Sequence, residues 1–294
     1  MSATAFIEPT TVDEACSLLA EDPWGSKAVS GGTAVVLMMR NGLIAPESLV
    51  SLAGIPMLHG ISSVDGSLRV GAGTTLAEVA ASREVRRHAP SLAAACAVVG
   101  NPRVRNVATL GGNLAEADYA SDPPATLASL GATCAIVGRD GLRRVQVIDF
   151  ITGFYETVLA HDEIVTHIDI PRPPDDRGAV YLKYRSRSSE DRACVGVAAR
   201  ADFSDGVVSE LDVVVGAVAS KLQRVPAALD HVVGSSLGPD EREAVAQGYA
   251  EAIDPMDDGR GSSWYRRRMI EVFVRRALER VLESRQSEGA AVHG

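Results

Sequence analysis

Ser30-Gly31-Gly32-Thr33-Ala34-Val35 and Asn106-Val107-Ala108-Thr109-Leu110-Gly111-Gly112-Asn113, whose glycine pairs stand 80 residues apart, are the two stretches on which the fold turns. The first sits between a strand-like segment, Lys27 to Ser30, and an apolar helical stretch that Thr33 is placed to cap and Asn41-Gly42 to stop. A glycine pair there lets the backbone pass close to a ligand with no Cβ in the way, and free amides supply hydrogen bonds to phosphate oxygens. One such loop reads most simply as a turn. Two similar loops make a two-sided cradle, which by itself names no ligand.

Outward from these loops the pattern alternates. A helix is predicted near Val12 to Ala20. A hairpin pairs Leu58 to Ser62 with Leu68 to Ala72 across Asp65-Gly66, a dipeptide suited to a turn with positive φ at both positions. A helix follows from Leu76 to about His88, another from Pro90 to Val99, then a basic loop from Asn101 to Val107. Strands are predicted at Thr133 to Val137, Arg144 to Ile148 and Ile164 to Ile170. The stretch from Pro171 through Pro173, Pro174, Asp175 and Asp176 to Gly178 marks a domain boundary. Beyond it come strands at Tyr181 to Tyr184, Val195 to Phe203 and Leu211 to Val218, then helices at Ala227 to Val233 and Pro239 to Ile253. The last helix, Trp264 to Leu282, carries a stripe of Met269, Ile270, Phe273, Val274, Ala277, Leu278, Val281 and Leu282, one buried face. Its arginines, Arg266 among them, read as a solvated face, with Glu271 and Arg275 one turn apart as a pair.

Length and charge narrow the function. The 294 residues suggest two domains, and 46% apolar with 23% charged residues is ordinary globular usage. A net charge of -9 disfavours a broad nucleic-acid-binding face, so any anion must be bound locally. Cys16, Cys96, Cys134 and Cys194 form no CxxC, and the six histidines no HExxH, which disfavours zinc or an in-chain iron-sulfur cluster. Met1 to Glu8 lacks a basic region followed by an apolar one, and no apolar run reaches transmembrane length. A cytoplasmic protein with reduced thiols is expected.

Two motif matches are set aside. Gly71-Ala72-Gly73 lacks the third glycine and the acidic residue of a dinucleotide fingerprint. Gly234-Ser235-Ser236-Leu237-Gly238 fits G-x-S-x-G but lacks the strand that a nucleophile elbow needs before it. Lysine is rare: 26 of 29 basic residues are arginine, leaving Lys27, Lys183 and Lys221. Strand alternation puts Tyr181, Lys183 and Arg185 on one face, where the ammonium meets either an anionic or electron-rich ligand or an ordinary ion-pair partner.

The two glycine loops, together with Ser121-Asp122-Pro123, Tyr181-Leu182-Lys183-Tyr184, Gln223-Arg224-Val225-Pro226 and Ser263-Trp264-Tyr265-Arg266-Arg267, resemble the FAD-binding medium subunit of the molybdenum hydroxylases, the xanthine dehydrogenase and carbon monoxide dehydrogenase family. The likeness covers nearly the whole chain. It implies an α+β fold: a vanillyl-alcohol-oxidase-type (PCMH-type) FAD-binding domain over 1–175, with subdomains of about 1–55 and 56–175. A small C-terminal α+β domain over 178–284, a three-stranded sheet with helices, would follow, and 285–294 would be a flexible tail.

By the same resemblance, Ala28, Val29, Ser30, Gly31, Gly32, Thr33, Ala34 and Val35 wrap the FAD diphosphate, with the amides of Gly31 to Ala34 as donors. Thr109, Gly111, Gly112 and Asn113 form the second side. Asp122 binds a polar part of the nucleotide, Val165 and Lys183 line the isoalloxazine, and Tyr184 covers it. Ser30 stands where alanine is common and Ala34 where a polar residue is common, so one side-chain contact is lost. The implied role is electron transfer from the 2Fe-2S clusters of a small subunit through FAD to an external acceptor. A large molybdopterin subunit would complete a dimer of heterotrimers, and no catalytic residue or metal ligand is assigned to this chain. The alternatives are a free-standing FAD oxidase or dehydrogenase, and a flavin-free assembly or binding protein on the same fold.

Overall fold

The computed structural model describes residues 4–188 and 191–291, with side chains as far as 285. The chain opens with β1 (Ala5–Ile7), α1 (Val12–Glu21), β2 (Ser26–Val29), α2 (Val35–Arg40) and β3 (Ser48–Ser51). The three strands make a parallel sheet in the order β1-β3-β2. Thr11 caps α1 by accepting from the Glu14 amide, and Val12, Ala15, Cys16 and Leu19 recur at helical spacing to form its buried face. The cap of α2 differs from expectation: Ala34, not Thr33, is its N-cap, and no side chain accepts from its first turn.

A second layered unit begins with β4 (Ile61–Val64) and β5 (Ser67–Gly71). The turn between them has Asp65 at φ 51° and Gly66 at φ 80°, as its dipeptide predicts. Leu58, expected in the first strand, lies instead in a 3-10 turn. The predicted helix from Leu76 to His88 is two, α3 (Leu76–Ala81) and α4 (Arg83–His88). Ser82 interrupts it because its hydroxyl caps the second by accepting from the Val85 amide. Next come α5 (Pro90–Ala97), α6 (Pro102–Arg105), α7 (Leu110–Glu116), α8 (Pro123–Ser129), β6 (Thr133–Gly138), β7 (Gly141–Gln146), α9 (Val147–Phe150), the hairpin β8 (Ile151–Gly153) and β9 (Glu156–Thr157), and β10 (Ile164–Ile170). The five longer strands form an antiparallel sheet, β4-β5-β10-β6-β7, with a register shift between Val165 and His167.

The last unit is an antiparallel sheet of β11 (Arg177–Tyr184), β12 (Val195–Ser204) and β13 (Val207–Gly216), covered by α10 (Pro239–Ala252) and α11 (Ser263–Ala291). Only a 3-10 turn, Pro226–Ala228, stands where a helix to Val233 was expected. Ile270, Val274, Ala277, Leu278 and Val281 form the buried face of α11. Arg266 is not on the solvated face: it is fully buried, bonded to Asp258 at 2.7 Å and the Met256 carbonyl at 2.9 Å. Arg275 pairs with Glu243 on α10 rather than Glu271, which takes Arg268. Helical backbone continues past 284, where a flexible tail was expected. Arg285 is tied there to Asp176 and lies 4.2 Å over the Phe203 ring. Positions 292–294 lie outside the described residues.

The hinge of the architecture is α8. All seven of its residues are buried, and Leu127 shares one apolar cluster with Ala198 and Val214 of the C-terminal sheet. Arg200 donates to the Ser129 carbonyl at 2.8 Å and Arg224 to the Ala128 carbonyl at 3.1 Å, satisfying backbone acceptors at the helix's C-terminal end. The domain boundary read from the prolines is therefore a joint whose two sides are packed and hydrogen-bonded together.

Candidate cofactor site

A cleft of about 820 Å³ opens where the three units meet, within the range of small-molecule sites. The two glycine loops form facing walls of it. Thr109 Oγ1 donates to Ser30 Oγ at 3.1 Å, so Ser30 stitches one loop to the other. The glycines of each pair do different jobs. A Cβ on Gly31 would lie 1.9 Å from the Val107 carbonyl oxygen, and one on Gly111 2.4 Å from the Ala72 Cβ, so these two permit backbone layers to touch. Gly32 instead has φ +71° with no neighbour closer than 3.5 Å, and Gly112 is exposed on the cleft side.

The walls also differ in what they offer. The amides of Gly31, Gly32, Thr33, Ala34 and Val35 donate to no backbone carbonyl among the described residues. On the second loop the four amides from Leu110 to Asn113 are spent: Leu110 on Thr74 O, Gly111 on Ala72 O, Gly112 on Thr109 Oγ1 and Asn113 on Thr109 O. That wall offers the side chains of Thr109 and Asn113, the latter oriented by a 2.8 Å bond from Ser121 to its Oδ1. A run of unpaired amides facing polar side chains suits a phosphate-containing ligand with a polyol segment.

Most of the residues singled out in the sequence come together on this cleft: Ala28, Ser30 to Val35, Thr109, Gly111, Gly112, Asn113, Asp122, Val165 and Lys183. Two do not. Val29 is a buried strand residue whose carbonyl accepts from the Leu52 amide at 2.8 Å. Tyr184 points to the other face of β11, its ring 5.2 Å from Phe273 and its hydroxyl bonded to Tyr265, so it does not cover a ring bound in the cleft. The reason is strand alternation: Lys183 faces the cleft, so its neighbour faces the C-terminal core.

Asp122 is more heavily engaged than a nucleotide contact requires. Its Oδ1 accepts from Tyr181 at 2.6 Å and its Oδ2 from Lys183 at 2.8 Å. Burial pushes the carboxyl's pKa up, and the Lys183 ammonium pulls it back. Burial and the adjoining carboxylate raise the Tyr181 phenol well above its usual range, which keeps it a donor. Sequence reasoning had placed Tyr181 on the Lys183 face without giving it a role. Missed altogether were Ser121's hold on Asn113 and the mouth of the cleft, where Glu116, Asp118 and Arg192 gather. Burial and Asp118 raise the Glu116 pKa, Lys27 and Arg192 oppose this, and Arg192 pairs with Asp118 at 2.9 Å. Arg192 and Lys27 reach Asp118 and Glu116 from other units and leave no local motif, whereas Ser121 lies eight residues from Asn113 in the same unit.

Comparison with known proteins gives the class. Residues 2–173 match the family described as FAD binding domain in molybdopterin dehydrogenase, and residues 180–281 match the CO dehydrogenase flavoprotein C-terminal domain. The chain belongs to this family of FAD-binding medium subunits of molybdenum-dependent oxidoreductases. It is 32% identical over 278 residues to the nicotine 6-hydroxylase medium subunit of Paenarthrobacter nicotinovorans, covering 95% of this chain and 97% of that one. It is also 32% identical over 277 residues to the carbon monoxide dehydrogenase medium chain of Afipia carboxidovorans, covering 94% and 95%. Among solved structures, carbon monoxide dehydrogenase from Hydrogenophaga pseudoflava superposes with a TM-score of 0.92 at 29% identity, covering 98% of each chain. Quinoline 2-oxidoreductase from Pseudomonas putida gives 0.90 at 29% identity, again covering 98% of each. No described helix is long and apolar enough to cross a membrane.

Proposed function

We propose that this chain is the electron-transfer subunit of a molybdenum-containing hydroxylase or dehydrogenase, linking the 2Fe-2S clusters of a small partner subunit to an external acceptor. In this reading a large molybdopterin subunit completes the assembly, as a dimer of heterotrimers in the cytoplasm. Bound FAD supplies the exchange between one-electron and two-electron carriers. The chain's own part is to bind, orient and shield. Gly31 to Val35 offer amides to the diphosphate, Thr109 and Asn113 offer side chains from the opposite wall, and Val165 and Lys183 flank the isoalloxazine. The first two units, 1–175, act as a vanillyl-alcohol-oxidase-type FAD domain, and 178–284 closes the cleft from the C-terminal side.

The observation that carries this reading is the single cleft on which both glycine loops and Lys183 converge. Relatives named for substrates as unlike as nicotine, carbon monoxide and quinoline match this one subunit at about 30% identity, which supports a substrate chosen on another chain. The test is the visible spectrum of the purified chain before and after FAD addition, followed by rapid mixing with the reduced iron-sulfur partner. Flavin uptake and then bleaching by the partner are expected. A folded chain that takes up no FAD alone or with its partners refutes the reading, and substrate turnover by the chain alone would establish the free-standing enzyme instead.

A further inference from the structure

Helix α2 is apolar on every side, and the protein covers only one of them. Its run Val35-Val36-Leu37-Met38-Met39 has no polar face, and of these residues only Val35 is buried. A helix that is apolar all round ordinarily lies inside a core. Here Val36 and Leu37 are each about half exposed, and Leu43, whose amide bonds to the Met38 carbonyl at the end of the helix, is 71% exposed. Val107, also about half exposed, joins them: its carbonyl lies against Gly31, and the Val36 side chain lies against Gly32 of the same pair. An exposed apolar surface of this kind marks a place where something docks.

Charge sets the surface apart as well. The chain has 38 acidic residues and a net charge of -9, yet positions 23–46 and 85–115 contain no Asp or Glu. Arg40 at the end of α2 and Arg103 in α6 are exposed, and neither has a carboxylate partner among the described residues. Elsewhere arginines such as Arg69, Arg143 and Arg177 each hold one. The cofactor cleft does not account for this: Leu37 lines it, but Val36, Leu43, Val107, Arg40 and Arg103 do not.

Resting on the reading of this chain as one subunit of an electron-transfer assembly, we infer that α2, with Leu43 and Val107, forms the docking surface for the iron-sulfur partner. That partner presents an apolar centre ringed by carboxylates. The apolar side chains supply the desolvated contact, and the two unpaired arginines supply the charge complementarity that steers the partner and fixes its register. Position favours this occupant, because the surface shares Leu37 with the cleft and a protein seated on it adjoins the bound cofactor, as electron exchange requires.

The test measures binding of the full-length, FAD-loaded chain to the purified iron-sulfur partner by surface plasmon resonance, with thermal melting and flavin content verifying each variant. Val36→Glu combined with Leu43→Glu is expected to weaken binding about a hundredfold, since it buries two charges in an apolar contact beside other carboxylates. Melting and flavin content should stay at the wild-type level. Arg40→Glu combined with Arg103→Glu keeps the apolar surface and is expected to slow association about tenfold at low salt, the difference closing as salt is raised. If the first variant fails to fold, the arginine variant decides. Wild-type partner binding by either folded variant overturns the inference and leaves the proposed function standing, whereas a wild-type chain that binds no iron-sulfur protein defeats both. Loss of FAD affinity with partner binding intact also overturns it, by making the cofactor the occupant. So does self-association of the chain, read by sedimentation, that the first variant abolishes while the partner still binds.

Discussion

Gly31→Ala is the sharpest test of how the two loops make a cleft. The added methyl would lie 1.9 Å from the Val107 carbonyl oxygen and 2.6 Å from its carbon. Ordinary carbon-to-oxygen contact is about 3.3 Å, so the loops must separate by about 1.4 Å. The obstacle is backbone, which cannot rotate aside as a side chain can. Overpacking of this kind costs about 2 kcal/mol. A shift of that size also breaks the 3.1 Å Thr109–Ser30 bond, adding about 1 kcal/mol. At about 3 °C per kcal/mol for a chain of this size, the midpoint of thermal unfolding should fall by about 9 °C. FAD titration should show affinity lowered at least tenfold, because the amides and the opposing side chains no longer face one ligand. Gly32→Ala is the control: its Cβ meets nothing closer than 3.5 Å, so the cost is that of a left-handed alanine, about 1 kcal/mol. A Gly31→Ala protein that melts within 1 °C of wild type and binds FAD equally well would refute the reasoning.

Ser30→Ala removes the acceptor of the inter-loop bond without adding bulk, and should lower the unfolding midpoint by about 3 °C while FAD remains bound, checked by calorimetry and flavin content. Arg200→Met at the α8 joint leaves Asp202 with one partner fewer in a site where both side chains are under 10% exposed. A loss of about 3 kcal/mol in urea unfolding is expected there, against no measurable loss for Arg280→Met, whose pair with Glu283 is exposed on both sides. Asp258 gives a pH signature. Burial would raise its carboxyl's pKa, but bonds from Arg266, the Arg260 amide and Tyr119 outweigh it and hold the value well below the usual range. On acidification the unfolded state therefore takes its proton first, near pH 4, and stability that is complete above that pH is lost below it. Asp258→Asn should cost stability at pH 7, and its gap from wild type should narrow as melting is followed below pH 4; a gap that stays constant would sink the assignment.

The surrounding polar cluster shows why some of this lay beyond sequence. Arg266 looks from its helix like one of many solvated arginines, yet it is fully buried, because the loop carrying Met256 and Asp258 returns over it. Burial of a charge depends on what another segment supplies, and periodicity on one helix carries no trace of that. The same holds for Tyr184: the motif that contains it is legible, but the covering role fails once strand register fixes Lys183 toward the cleft.

The sequence by itself determined the local matters: strands and helices from apolar period, the Asp65-Gly66 turn from its φ requirement, the α11 stripe, and two glycine loops which, together with four further motifs, resemble those of an FAD-binding medium subunit. These depend on residues close in the chain, where side-chain alternation and backbone conformation act directly. Tertiary structure alone decided which glycine of each pair packs and which faces the cleft, which loop has the longer run of unpaired amides, and that Asp122 turns its carboxylate to Lys183 across the joint. Gly31 against Val107, Gly111 against Ala72 and Asp122 against Lys183 are contacts between segments tens of residues apart, which no local pattern encodes.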